Sequence, residues 1–385
     1  MHGWAAGTGV VRGAGGCAWL VLVGKLESDG DVSAAPRLLL LLVAATSCLF
    51  DDPGPGAVSA DTVVGTGTGT GTDTGTDTGT GRPTTGEPAE QCGWEPRVPE
   101  EAPRARIDAT LTLNEEGGRL LLYGGRAGLL GDDLGDTWEF DGSKWTRILD
   151  DGAPGTRRGH AAAWDSEHKR VVLFGGEYGE LEVKFAEKTW THDGKEWTER
   201  DKGGPSLRAY AAMADLPSRE VAVLFGGRTK DGPSDETWHW DGSEWTEVET
   251  GAEPSPRFDH TMALDEASGQ VLLHGGCATT LCGEPLTDTW AWDGEQWEQL
   301  DGGEGPGPRA GGMVYDRSEP ALLRFGEGEG WRWGGEAWST AGAAPDALAA
   351  FAVAYHPDTA GVVLFGGLDA GLSPTAETWV FRCAR

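Results

Sequence analysis

A pair of tryptophans seven residues apart, with Asp-Gly or a close variant between them, returns again and again along this chain. It reads "DTWEFDGSKW" over Asp136–Trp145, then "KTWTHDGKEW", "ETWHWDGSEW", "DTWAWDGEQW" and, in worn form, "GWRWGGEAW". A sixth copy starts as "ETWVFRCAR" and stops before its second Trp. Asp-Gly between alternating apolar residues marks a tight hairpin, because the turn needs φ > 0 at both central positions. Ahead of each hairpin lies an apolar run ending in Gly, at Gly124, Gly175, Gly226, Gly275, Gly326 and Gly366, spaced 51, 51, 49, 51 and 40 residues apart. A further short strand pattern precedes each run, several introduced by Arg: Arg106, Arg157, Arg208, Arg257 and Arg309. A period near 50 overrides any local reading of the chain.

Each unit therefore holds four short strands, a to d, with no helical periodicity between them. One such sheet cannot cover its own faces, whereas stacking copies in a ring does. The expected fold is all-β, a six-bladed β-propeller over residues 91–385. The double Gly after an apolar strand, the aromatic-rich strand c and the spaced Trp resemble the Kelch-repeat, or galactose-oxidase central-domain-like, β-propellers, over about three quarters of the chain. Unit five departs from the pattern, with Glu327 for the second Gly and a shortened b–c loop. The resemblance speaks for fold and only weakly for activity.

Six c strands but five following d strands leave one blade incomplete. Upstream, Trp94 precedes Arg106 by 12 residues, as Trp145 precedes Arg157. Trp94 is thus expected to belong to an N-terminal strand d that completes the last blade, the usual propeller closure, which removes the open edge. Cys92 and Cys383 fall at the two positions that are sequence neighbours in the other c–d turns, which predicts a Cys92–Cys383 disulfide in place of the missing connection. Cys277 and Cys282 are expected to close a short loop. Paired cysteines fit an oxidising compartment.

The N-terminal quarter reads differently. "RLLLLLVAATSC", Arg37–Cys48, has the charge, short apolar run and small residues of a secretory signal and is too short for a mature membrane span. It resembles a bacterial lipoprotein signal, with Cys48 the lipidated residue, although Ala45 stands where Leu is usual; ordinary signal-peptidase cleavage nearby is the competing reading. Residues 1–48 are read as leader and signal peptide, with the translation start expected near Val32. The Gly/Thr alternation within 49–90 cannot bury enough apolar surface to offset chain entropy and reads as a flexible tether. The expected location is the cell envelope, lipid-anchored or otherwise secreted. A formal net charge of −31 argues against binding nucleic acid or an anionic membrane through charge.

Chemistry is sparse. The Trp pairs read as core and inter-blade packing rather than sugar platforms. His160, Tyr210 and His260, each five before an Asp at the end of strand a, are placed at equivalent positions facing the channel; with Arg157 and Arg257 they form the candidate ligand-binding set. Galactose oxidase uses a copper site with Tyr and His ligands, two adjacent in sequence. Tyr355-His356 is the one Tyr-His here, on the side away from the long loops, and no Cys stands ready for a Cys–Tyr crosslink. Neither cofactor, metal nor catalytic residue is expected. The b–c and d–a connections share one face, and the b–c loops are long and varied, so the expected function is a monomeric binding module for a protein or glycan on that face. The alternative is a Kelch-like enzyme acting on a sugar in the axial pocket.

Overall fold

The computed structural model describes the backbone of three short strands, Ala6–Arg12, Ala18–Lys25 and Leu38–Val43, paired as a sheet of their own, and residues 92–383 except 150, 151, 181, 201, 202, 280, 281, 284, 309, 310 and 346–348. Cys48 and the 49–90 tether lie outside the described residues. No helix among those residues is long and apolar enough to cross a membrane.

The repeat folds as six four-stranded antiparallel sheets, each in the order a-b-c-d. In blade 1 the strands are Thr110–Asn114, Arg119–Tyr123, Thr137–Phe140 and Trp145–Leu149. In blades 2 to 5, strand a is Ala161–Asp165, Ala212–Leu216, Thr261–Asp265 and Gly312–Asp316 in turn. Blade 6 combines Ala352–His356, Gly361–Phe365 and Thr378–Cys383 with Cys92–Arg97 from the other end of the chain. Register there runs Phe381 to Trp94 and Cys383 to Cys92. Cys92 and Cys383 are disulfide-bonded, 291 residues apart in sequence, and Cys277 is bonded to Cys282.

The recurring sequence marks have a common physical cause. Each buried Arg ahead of strand a donates from Nη1 to the carbonyl of the first Gly 18 residues on: Arg106 to Gly124, Arg157 to Gly175, Arg208 to Gly226 and Arg257 to Gly275, at 2.8–3.0 Å. Arg106, Arg208 and Arg257 also pair with the acid opening strand c, Asp136, Glu236 and Asp288. Lys188 stands at that place in blade 2, and Arg157 instead donates to the Pro154 carbonyl at 2.5 Å. The backbone carbonyl of each Arg accepts from the second Gly of the previous blade, as Gly125 N–H to Arg157 and Gly367 N–H to Arg106. Glycine is needed for so close an approach: Gly175 has φ 71° and an added Cβ would sit 2.4 Å from the Arg208 carbonyl oxygen.

The strand-d tryptophans bolt blades together. Trp145, Trp197, Trp245, Trp297 and Trp338 each donate the indole N–H to the strand-c Thr of the preceding blade, at 2.7–3.0 Å. Apolar clusters such as Val172, Phe174, Met213, Leu224 and Trp240 fill the space between neighbouring blades. The six a strands, innermost and each beside the next, enclose an axial cavity of about 550 Å³ that opens among the a–b turns.

Candidate functional site

On the opposite face, the b–c and d–a connections of blades 1 to 4 build a charged cluster over the axis. Just ahead of strand a, one residue in each of blades 1 to 4 and 6 adopts the left-handed conformation: Asp108, Gly159, Tyr210, Asp259 and Ala350, with φ of 55–58°. Their backbones form a collar. Gly159 N–H donates to Asp108 carbonyl oxygen, Tyr210 to Gly159, Asp259 to Tyr210, and Asp108 to Ala350, at 2.6–3.0 Å. Holding Asp, Tyr and Ala at φ > 0 costs conformational energy that Gly would not incur. The collar sets this backbone whatever the side chain.

The residue after each Gly-Gly bridges to the residue before the collar, which brings Arg126, Glu177 and Arg228 beside Ile107, Arg158 and Ala209. A chain of charges results. Arg158 donates to Asp133 Oδ1 at 2.6 Å and reaches Glu177 Oε1 at 2.9 Å, while Arg228 binds Glu177 Oε2. Tyr210 OH donates to Glu177 Oε1 at 3.4 Å, and the Arg228 guanidinium lies 5.7 Å from the ring centres of both Tyr210 and Phe185. Burial works against the Arg158 cation, but Tyr210, Glu177 and Asp133 outweigh it and raise its pKa.

Asp108 and Asp259 differ from the other acids. Both are half-buried, and neither carboxyl makes a hydrogen bond or ion pair among the described residues. Burial pushes Asp108 up to about 7, with Glu177 and Asp133 adding to the rise and Arg158 and Arg126 opposing it. Asp259 is raised well above the usual range by burial, then by Asp108 and Glu177. Burial and the same three carboxylates raise the Tyr210 phenol. Asp108, Asp259 and Tyr210 are thus three groups whose uncharged forms burial favours, on a backbone fixed by the collar.

The residues expected to line the channel from strand a sit elsewhere. His160 hydrogen-bonds Thr110 at 2.8 Å and packs edge-on against Tyr123 of blade 1; burial lowers it to about 3, so it stays neutral. His260 takes the same place against Phe225 of blade 3. Tyr210 is not their equivalent. Counted from the recurring Arg it matches Gly159 and Asp259, and its ring covers Gly159, where an added Cβ would come within 2.7 Å. Tyr210 lies five residues before Asp215, but Asp215 is the fourth residue of its strand where Asp165 and Asp265 are the fifth, so the two intervals do not correspond. Arg157 and Arg257 are the inter-blade clamps described above. Arg126, Arg158, Glu177, Arg228, Asp108 and Asp259 went unrecognised in sequence, although they stand at fixed offsets, one or two after the Arg or one after Gly-Gly. Among the described residues no group of His, Cys, Asp and Glu is arranged to hold a metal ion.

Fold and closure together define a six-bladed β-propeller, disulfide-bonded as in an oxidising, extracellular setting. Among solved structures the chain is similar to the propeller described as "Structure of YjhT", at 12% identity and a TM-score of 0.57, over 75% of this chain and 100% of that one. That likeness is one of fold alone. No family model matches the sequence. No curated protein matches it either.

Proposed function

We propose that the chain is a Kelch-type propeller acting as an envelope-tethered binding module, anchored by lipid at Cys48, with residues 49–90 as spacer and the b–c/d–a face as the surface that takes a protein or glycan. One observation carries this reading. The large apolar side chains most exposed among the described residues, Val98, Leu130, Tyr178, Val183 and Leu207, all belong to b–c or d–a connections. Scattered exposed apolar residues are ordinary, but confinement to the one face with long loops is the mark of a surface that meets a partner. Four of the five are aliphatic, which favours a protein over a sugar. The test screens the full chain on a glycan array and against envelope extract beside the variant Tyr178→Ser/Val183→Asp. A retained ligand that the variant still holds overturns the reading; loss in the variant, with an unchanged melting temperature, supports it.

The Asp108, Tyr210 and Asp259 centre supports the second reading, a sugar-directed enzyme using Asp108 as acid or base. That reading requires turnover that Asp108→Asn abolishes.

A further inference from the structure

The loop-face reading makes no use of the axial cavity on the opposite side. Its walls come from the middle of strand a, whose second, third and fourth residues line it in every blade; the third positions are Thr112, Ala163, Ala214, Ala263, Val314 and Ala354. The second positions are Leu111, Ala162, Met213, Met262, Met313 and Val353. The fourth positions, nearer the mouth, are Leu113, Trp164, Asp215, Leu264, Tyr315 and Tyr355. Sixteen of these eighteen are apolar or aromatic; Thr112 and Asp215 are the exceptions, and Asp215 alone is charged. At the rim, Arg317 of blade 5 reaches Glu266 of blade 4 and Glu115 of blade 1, both at 2.6 Å. Two carboxylates share this one cation, so the mouth keeps an unbalanced negative charge above a third carboxyl, Asp215, inside.

We propose that this axial cavity is a binding site for a small organic cation, whose ammonium head sits against Asp215 and whose apolar body lies between Trp164, Tyr315 and Tyr355. The volume of about 550 Å³ falls within the range of small-molecule sites, roughly 300–1,000 Å³. Aromatic rings around a carboxylate attract an ammonium both through charge and through their π faces. An anion would meet Glu115, Glu266 and Asp215. A neutral apolar molecule would strip water from Asp215 and return nothing. A bare divalent metal ion needs about six oxygen ligands, and the wall supplies one carboxyl. The chain's charge of −31 draws cations toward the mouth.

Asp215 is pushed up to about 7 by burial, with Asp165 and Glu115 adding to the rise and hydrogen bonds from Ser166 opposing it. Tyr315, Tyr355, Glu266 and Arg317 complete the titratable and charged groups around it. A cation binds the ionised form, so its affinity rises with pH. An acid of pKa about 7 is ionised only to roughly 3% at pH 5.5, which makes the expected loss about thirty-fold between pH 8 and pH 5.5.

The experiment is calorimetric titration of the full chain with benzyltrimethylammonium, with benzyl alcohol as neutral control and 3-phenylpropionate as anionic control. The expected result is one cation per chain, at least ten-fold weaker binding of the alcohol and no binding of the acid. Asp215→Asn should cost the cation at least ten-fold and leave the alcohol unchanged. Leu113→Trp, which fills the lumen without touching the charge, should remove both. Arg228→Ala, on the loop face, should change neither. Equal affinity for cation and alcohol, or cation affinity that survives in Asp215→Asn or in Leu113→Trp, overturns the proposal. A loss in Arg228→Ala overturns it too, by moving the probe to the other face.

Discussion

The indole N–H of Trp145 meets Thr378 Oγ1 at 3.0 Å, across 233 residues of sequence, and so ties the first blade to the last. Four more blades repeat the bond. The sixth does not, because Gly330 stands where the others have Thr, and the Trp94 indole nitrogen is buried without a partner. Trp145→Phe should therefore cost about 1–3 kcal/mol, since it strands a buried hydroxyl as well as removing a bond. Trp94→Phe should cost less, because it removes an unsatisfied donor and keeps the ring contacts with Phe325 and Phe381. Denaturant unfolding of the two variants checks the order; equal losses would mean the bond contributes nothing.

The two disulfides should rank by the loops they close. Chain entropy assigns the Cys92–Cys383 crosslink about 5–6 kcal/mol and the short Cys277–Cys282 loop about 2 kcal/mol, as upper figures. Cys92→Ser/Cys383→Ser should fold, with a melting temperature well below that of Cys277→Ser/Cys282→Ser. Removing residues 91–97 should be worse than either, since it also bares the edge of blade 6. Thermal scans of the three variants decide it, and wild-type stability in the 91–97 deletion would refute the closure.

Gly159 and Tyr210 should be energetically coupled. Gly159→Ala puts a Cβ both at φ +58° and within 2.7 Å of the Tyr210 ring. It should destabilise by several kcal/mol, through the left-handed backbone and the clash together. In a Tyr210→Ala background the clash is gone and only the backbone penalty of about 1–2 kcal/mol should remain. A double-mutant cycle showing no coupling would place the ring elsewhere.

Acid should destabilise the fold through histidine. Burial lowers His160, His260 and His274 to about 3 and His192 and His239 to about 4. The folded chain keeps them neutral while the unfolded chain takes up protons below about 6.5, so their contribution, present above that pH, is lost as pH falls. Asp108 and Asp215, both raised to about 7, act in the opposite sense. The unfolded chain releases those protons near pH 4 and the folded chain near 7, so their penalty grows between the two. Burial raises Asp259 likewise; five histidines outweigh these three aspartates, and the melting temperature should fall steadily from pH 6.5 to pH 4. Asp108→Asn should raise it more at pH 8 than at pH 5; a uniform gain would mean the carboxyl titrates normally.

The ring and its closure were legible because they rest on spacing. The Trp94–Arg106 interval alone identified a strand belonging to a blade 285 residues downstream, and the cysteines followed from the turn positions. The loop-face cluster was hidden because its members come from four blades and each one, read locally, is an ordinary loop charge. The cavity was hidden for another reason. Its wall is the middle of strand a, and only side-by-side alignment of all six shows Asp215 as the lone acid among Leu113, Trp164, Leu264, Tyr315 and Tyr355. Blade 3 obscured that alignment, since Leu216-Pro217 replaces the Asp that ends strand a in blades 2 and 4.

The Cys92–Cys383 bond also has a mechanical meaning. Strand d of blade 6 begins at Cys92, on the outer rim and beside the c–d turns, so any chain ahead of it leaves on the side away from the long loops. A tug on that chain arrives first at the end of strand d, where a hydrogen-bonded ladder would be unzipped one rung at a time. The crosslink sits on that first rung. Peeling the strand from this end must begin by breaking a covalent bond, and the load passes instead into strand c and the blades behind it.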